Sequence, residues 1–300
     1  MKKVLKATKS IFMLLMVVCM VIGMVGCGAE KTEEVSKTDA PKPVILVVSF
    51  GTSFNDSRDI TIGAVEKALQ DANPDYEVRR AFTSQIIIDK LKERDNLKID
   101  NVTEAMDRLV KDGVKEVLIQ PTHVMSGFEY DDVVKEVNKY ADKFDFMKIG
   151  STLLASDADY DTLIAALKEE TAQYNKEGTA IVYMGHGTEH EANATYAKLQ
   201  EKIKAAGLNN YFIGTVEAEP SLEDVVKLAK ESGAKKVVLL PLMIVAGDHA
   251  NNDMAGDEDD SWKTVFEKEG FEVECVLKGL GQYKGVQKMI VDHAAAILKK

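Results

Sequence analysis

The chain has 300 residues, of which 45% are hydrophobic and 29% charged, and its formal charge at pH 7 is −11. That length suffices for one large or two small domains with a substantial core. The acidic balance argues against nucleic acid as a partner and against electrostatic adhesion to anionic lipid.

The first residues read as an address rather than as part of the fold. Lys2, Lys3, Lys6 and Lys9 form a basic region, residues 11–25 are apolar, and Gly26 precedes Cys27. This is the pattern of a secretory signal over residues 1–26. Met24-Val25-Gly26-Cys27 resembles the lipobox of bacterial lipoproteins, with methionine at a position where leucine is usual. The resemblance implies an exported, extracytoplasmic protein held to the membrane by lipid on Cys27. An uncleaved anchor is the alternative, but the apolar run is short for a span of about 20 residues. Residues 27–42 are polar and aperiodic, contain Pro41, and read as a tether. Loss of residues 1–26 removes four lysines and no acids, which takes the charge from −11 to −15. On this reading Cys19 is cleaved away with the leader and Cys27 is acylated, so Cys275 alone remains in the body and no internal disulfide is available.

Residues 44–49 are a continuous apolar run between Pro43 and Gly51, as in a strand buried on both faces. Helical spacing follows over 56–69, ending near Asn73-Pro74. A strand is predicted at 76–81, helices at 84–93 and 102–111, a strand at 116–120, a helix at 130–140 and a weaker strand at 144–149. After Ser156 the pattern restarts. Helices at 160–174, 192–206, 222–232, 262–268 and 286–298 alternate with strands at 180–184, 211–216, 236–240 and 272–276. Such alternation implies an α/β fold with parallel sheets covered on both sides.

The halves resemble each other locally. Val48-Ser49-Phe50-Gly51-Thr52 lies against Met184-Gly185-His186-Gly187-Thr188, and Lys115 to Pro121 against Lys235 to Pro241, each proline being followed six residues later by Gly127 or Gly247. Two similar doubly wound domains, 43–155 and 156–300, are therefore expected, with a ligand cleft between them. In this register His186 matches Phe50 and His249 matches Glu129. One wall would carry metal-type side chains. The other would carry Phe50, Phe54, Met125 and Phe128 and cover something flat and apolar.

Three residues just past strand ends suggest one site. His186 stands between two glycines after an apolar strand, Glu217 follows the next strand, and His249 follows Val245-Ala246-Gly247-Asp248. Open α/β sheets bind ligands at such carboxyl ends. Glu219 is an alternative to Glu217, since both would share a face of extended chain. Two imidazoles and a carboxylate suit a divalent first-row metal such as cobalt, nickel, iron or zinc, and three donors leave positions open for exchange. His190 is expected at the rim, His123 is a strand-end residue that could line the cleft, and His293 is expected to be structural or solvated. The acids at 257–260 fit a helix N-terminus better than a metal site. Ser49-Phe50-Gly51-Thr52-Ser53 lacks the spacing and lysine of a nucleotide-binding loop, and no nucleophile elbow is present.

These blocks resemble the class II tetrapyrrole chelatases, in particular the anaerobic sirohydrochlorin cobaltochelatases of the CbiK type. The stretches that carry the resemblance are Ser49 to Ser53, Met184-Gly185-His186-Gly187, Gly214-Thr215-Val216-Glu217 and Val245 to Met254, and the similarity extends over residues 43–298. It implies a chelatase-like pair of α/β domains. It also implies a lyase that inserts Co²⁺ into sirohydrochlorin, as in cobalamin biosynthesis, with release of two protons. On this resemblance His186, Glu217 and His249 hold the metal and His186 is catalytic. Phe50, Gly51 and Thr52 would belong to the tetrapyrrole cleft, and Arg58, Arg79 and Arg80 could meet the substrate's carboxylates. Co²⁺ is the expected substrate metal, with Ni²⁺ or Fe²⁺ as alternatives and no organic cofactor. A homo-oligomer is compatible with the sequence but not specified by it. Export is unusual for a biosynthetic chelatase, so an extracytoplasmic lipoprotein that binds haem, another tetrapyrrole or metal without turnover is the alternative.

Overall fold

Among the described residues, eight strands fall into two parallel sheets of four. A computed structural model describes residues 41–298; the leader and most of the tether expected above lie outside the described residues. The elements run β1 (Val44–Ser49), α1 (Asn55–Ile60), α2 (Ile62–Ala72), β2 (Glu77–Phe82), α3 (Gln85–Asp95), α4 (Val102–Lys111), β3 (Glu116–Pro121), α5 (Phe128–Asn138) and β4 (Phe146–Ile149). Then come α6 (Asp157–Glu170), β5 (Thr179–Gly185), α7 (Ala194–Ala205), β6 (Tyr211–Thr215), α8 (Leu222–Glu231), β7 (Lys236–Pro241), α9 (Trp262–Lys268), β8 (Glu272–Cys275) and α10 (Lys284–Leu298). The sheet orders are β2-β1-β3-β4 and β6-β5-β7-β8. The internal duplication is therefore visible in the pairing: Val48 lies opposite Pro121 in the first sheet, and Met184 opposite Pro241 in the second.

Alternation along the central strands divides the core into layers. Ile45 and Val47 of β1 and Ile181 and Tyr183 of β5 point into one cluster, together with Ile62 and Leu69 of α2, Leu163 and Leu167 of α6, Ile203 of α7 and Ile290 of α10. Val44, Leu46 and Val48 face Met106, Leu109 and Val133 on the other side of the first sheet. Ala180, Val182 and Met184 face Val225, Ala229 and Phe266 on the far side of the second. Both sheets thus share a central helical layer, and the described residues 41–298 belong to one compact unit. Each fully buried Leu or Ile in it contributes on the order of 2 kcal/mol.

Local chemistry sets the helix ends. Asn101 and Glu104 form a capping box on α4, with Glu104 N–H donating to Asn101 Oδ1 at 2.9 Å and Asn101 N–H to Glu104 Oε2 at 3.0 Å. Ser84, Ser221 and Ser261 cap α3, α8 and α9. The single helix expected at 56–69 is two helices broken at Thr61. One contact at the break is local, the Thr61 hydroxyl donating back to the Ser57 carbonyl, and one is tertiary, Gly281 lying so close that a Cβ there would come within 3.0 Å of the Thr61 backbone.

Candidate metal centre

In the second sheet β5 leads outward to β6 on one side, and the chain then returns past β5 to β7 on the other. The loops leaving β5 and β7 therefore flank a topological switch point, where the carboxyl ends open a crevice. His186 is the first residue beyond β5. The ladder between β5 and β6 runs on past both strands, with Val216 N–H donating to Gly185 O at 3.0 Å and Glu217 N–H to His186 O at 2.9 Å. These two bonds fix Glu217 beside His186.

Both glycines around His186 are needed. At Gly185 a Cβ would collide with the Tyr196 ring, and Gly187 has φ +88 with the Ala218 backbone N only 2.7 Å from where a Cβ would be. The Tyr196 hydroxyl accepts the Gly187 N–H at 3.2 Å. Burial pushes that phenol up to about 12, so it stays protonated at neutral pH. Tyr196 was not read from the sequence as part of the site. Its one signal there is an aromatic residue in the helix that follows the glycine turn.

His249 is carried by the long loop after β7. Leu242 N–H donates to Met184 O at 2.7 Å, and Ala246 N–H to the Ser57 hydroxyl of α1 at 3.1 Å, so both halves hold this loop. The chain then enters a π-helical turn, Ala250–Met254, which the sequence pattern did not disclose. Asn251 Nδ2 donates to the carbonyls of Gly247 at 2.7 Å and Ala246 at 3.3 Å. His249 Nδ1 meets Asp253 Oδ2 at 2.8 Å.

The result is convergence. One donor atom from each of His186, Glu217 and His249 lies within 4.8 Å of the others. The two imidazoles meet edge to face with centroids 4.7 Å apart, and His186 Nδ1 is 3.6 Å from Glu217 Oε2. His186 Nδ1 also lies 2.8 Å from Gly187 O. A carbonyl can only accept, so Nδ1 carries the hydrogen and Nε2 keeps its lone pair. The Asp253 carboxylate imposes the same tautomer on His249. Two imidazole nitrogens and a carboxylate at this spacing suit a divalent first-row ion held with positions to spare. Glu219 points elsewhere, with Oε2 accepting Ser221 N–H at 3.0 Å.

Comparison with known proteins places this site in context. Residues 43–299 match the cobalt chelatase (CbiK) family. The chain belongs to that family. It is 39% identical over 252 residues to the sirohydrochlorin cobaltochelatase of Salmonella typhimurium, covering 84% of this chain and 95% of that one. It is 32% identical over 257 residues to sirohydrochlorin cobaltochelatase CbiKC of Nitratidesulfovibrio vulgaris, covering 85% and 90%. Among solved structures, SirB from Bacillus subtilis with Fe³⁺ shares the fold at a TM-score of 0.58 and 11% identity, covering 86% of this chain and 98% of that one. CbiX, described as the terminal enzyme of siroheme biosynthesis in denitrifying bacteria, does so at 0.50 and 17%, covering 85% and 99%.

Elsewhere in this CbiK-family chain, the other residues singled out in the sequence go to several places. Phe50 is 45% exposed, whereas Thr52 is 2% exposed and Gly51 is buried with φ +103. Gly51 and Thr52 shape the loop, Thr52 packing on Gly247, and Phe50 alone of the three presents an exposed side chain. With Ile86 and Phe128, also exposed, it marks the ends of β1, β2 and β3 in the first sheet. His190 bridges the halves, its ring edge-on to Phe128 at 4.7 Å and its Nε2 3.5 Å from Asp131 Oδ2. The His123 side chain is buried with neither ring nitrogen hydrogen-bonded, its Nε2 3.5 Å from Glu129 Oε2. His293 binds Asp159 at 2.9 Å, far along the chain from the triad. Arg79 pairs with Glu77 and Asp112, Arg80 with Glu66, and Arg58 is buried beside Asp59 and Asn55. All three guanidiniums are engaged by neighbouring side chains. Asp257 and Asp259 pair with Lys263 and Lys268 around α9.

Proposed function

We propose that this chain is a sirohydrochlorin cobaltochelatase, a lyase-class enzyme that inserts Co²⁺ into sirohydrochlorin and releases the two pyrrole N–H protons. The observation that carries the reading is the convergence of His186, Glu217 and His249 on one point at the carboxyl ends of β5, β6 and β7, in a chain of the CbiK family. His249 and Glu217 present the ion, and His186 is both ligand and base. An imidazole lone pair cannot hold a metal and a proton together. As cobalt passes to the macrocycle nitrogens, His186 Nε2 is therefore freed to take one of the two protons, the other passing to solvent water at this exposed site. His186 suits that role because it is the more exposed of the two imidazoles, with side-chain exposures of 46% against 31% for His249. The apolar side chains at Phe50, Ile86 and Phe128 offer the flat surface against which the ring is held.

Ni²⁺ and Fe²⁺ can compete for the same donors, and Co²⁺ ranks below Ni²⁺ in intrinsic affinity, so supply and geometry decide between them. The mature protein is proposed to be exported and anchored by lipid on Cys27. Mass spectrometry of the purified N-terminus would show a lipidated Cys27; an intact Met1 would contradict that address. The catalytic reading is tested by His186→Ala, which is expected to retain the fold and lose cobalt insertion. Retained turnover would refute the assignment.

A further inference from the structure

The two imidazoles of the triad are backed by different acceptors. His186 Nδ1 donates to a neutral backbone carbonyl, Gly187 O, at 2.8 Å. His249 Nδ1 donates to a carboxylate, Asp253 Oδ2, also at 2.8 Å. A carboxylate holds the Nδ1 hydrogen more firmly and leaves Nε2 the stronger donor. Asp253 lies on the π-helical turn that begins directly after His249, the ring it orients, and such turns recur at functional sites. It contributes no atom to the converging triad itself.

We infer that Asp253 is a positioning residue for the metal site, an assignment that rests on the chelatase reading above. It holds His249 in the Nδ1–H tautomer with Nε2 toward the ion, so that His249 is the ligand that anchors and His186 the ligand that lets go. The asymmetry has a purpose in a chelatase. Equal, firm grips by both imidazoles would hold the cobalt back from the macrocycle, and equal, weak grips would not collect it.

Two measurements on the full-length protein test this. Long-range ¹H–¹⁵N NMR on histidine-labelled, metal-free protein reads the tautomer without metal or turnover. Titration with Co²⁺, followed by its visible absorption, reads affinity. Wild type is expected to show the Nδ1–H form of His249. Asp253→Ala is expected to shift that ring toward the Nε2–H form that histidine favours in water and to weaken Co²⁺ binding by about 10–100-fold. Asp253→Asn, nearly isosteric and still an acceptor through its amide oxygen, should keep the tautomer and lose less affinity. Either an unchanged tautomer or unchanged Co²⁺ affinity in Asp253→Ala overturns the assignment. If wild type binds no Co²⁺ while the tautomer still depends on Asp253, the positioning of His249 stands and the metal reading is what fails.

Discussion

His186 stands on a turn with almost no steric freedom. Gly187 has φ +88 and no room for a Cβ beside Ala218, so Gly187→Ala must distort the turn that aims the imidazole. A cost of about 1–3 kcal/mol is expected from that backbone strain, with Co²⁺ affinity lowered more than unfolding stability. Parallel denaturant and cobalt titrations would show this, and equal affinity with the wild type would count against it. The histidines were legible because each follows an apolar run at a glycine, a place where sequence and strand-end chemistry agree. The residues behind them were less legible. Tyr196 matters only because the fold brings its hydroxyl to Gly187 N–H. The His-x-x-x-Asp spacing of His249 and Asp253 becomes a contact only once the segment is helical, and the helical spacing of Ala246, Ala250 and Met254 is masked by the polar run Asn251-Asn252-Asp253, which reads as a helix cap. The three arginines show the converse. A positive residue in the chain is easily spotted, but its partner is set by packing, and these three already have theirs.

At the level of elements, α10 is the clasp. It packs on α2 of the first half and α6 near the start of the second, and Ile290, 1% exposed, sits in the shared cluster. Ile290→Ala should cost about 2–5 kcal/mol, measured by denaturant unfolding; a loss well below that range would mean that α10 is not integral to the central layer. Its second tie is polar. Burial works against a charged Asp159, but hydrogen bonds from His293 and from Ser156 outweigh it and hold the carboxyl below its usual range. A depressed carboxyl gives stability that is present above its unfolded value and is lost as pH falls through the folded one. The stability gap between wild type and Asp159→Asn should therefore shrink as pH is lowered from about 6 to about 3, and a gap that widened would contradict this linkage. The strands were readable because buried parallel strands are continuous apolar runs. The break at Thr61 was not, because the tertiary contact made there, the close approach of Gly281, lies some 220 residues away along the chain.

Across the whole molecule, the duplication explains the chemistry. The two sheets have the same order and matching register, yet their carboxyl ends differ. The second presents His186, Glu217 and His249; the corresponding edge of the first carries the exposed Phe50, Ile86 and Phe128. Of the apolar wall expected from the sequence register, Phe50 and Phe128 are exposed, whereas Phe54 is half-buried and Met125 packs against the central cluster; Ile86 is the exposed apolar residue that the register did not name. One half supplies the ion and the other an apolar surface, and the shared central layer holds both in place. The continuity of that layer was the part hidden from sequence, since nothing local shows that α2, α6, α7 and α10 bury into a common cluster. The most direct test is to mix the purified protein with excess sirohydrochlorin and Co²⁺ and follow the absorption of the macrocycle. Conversion of many equivalents per protein is predicted. A single stoichiometric change would contradict a chelatase and point to a carrier, and no change would contradict the chelatase outright.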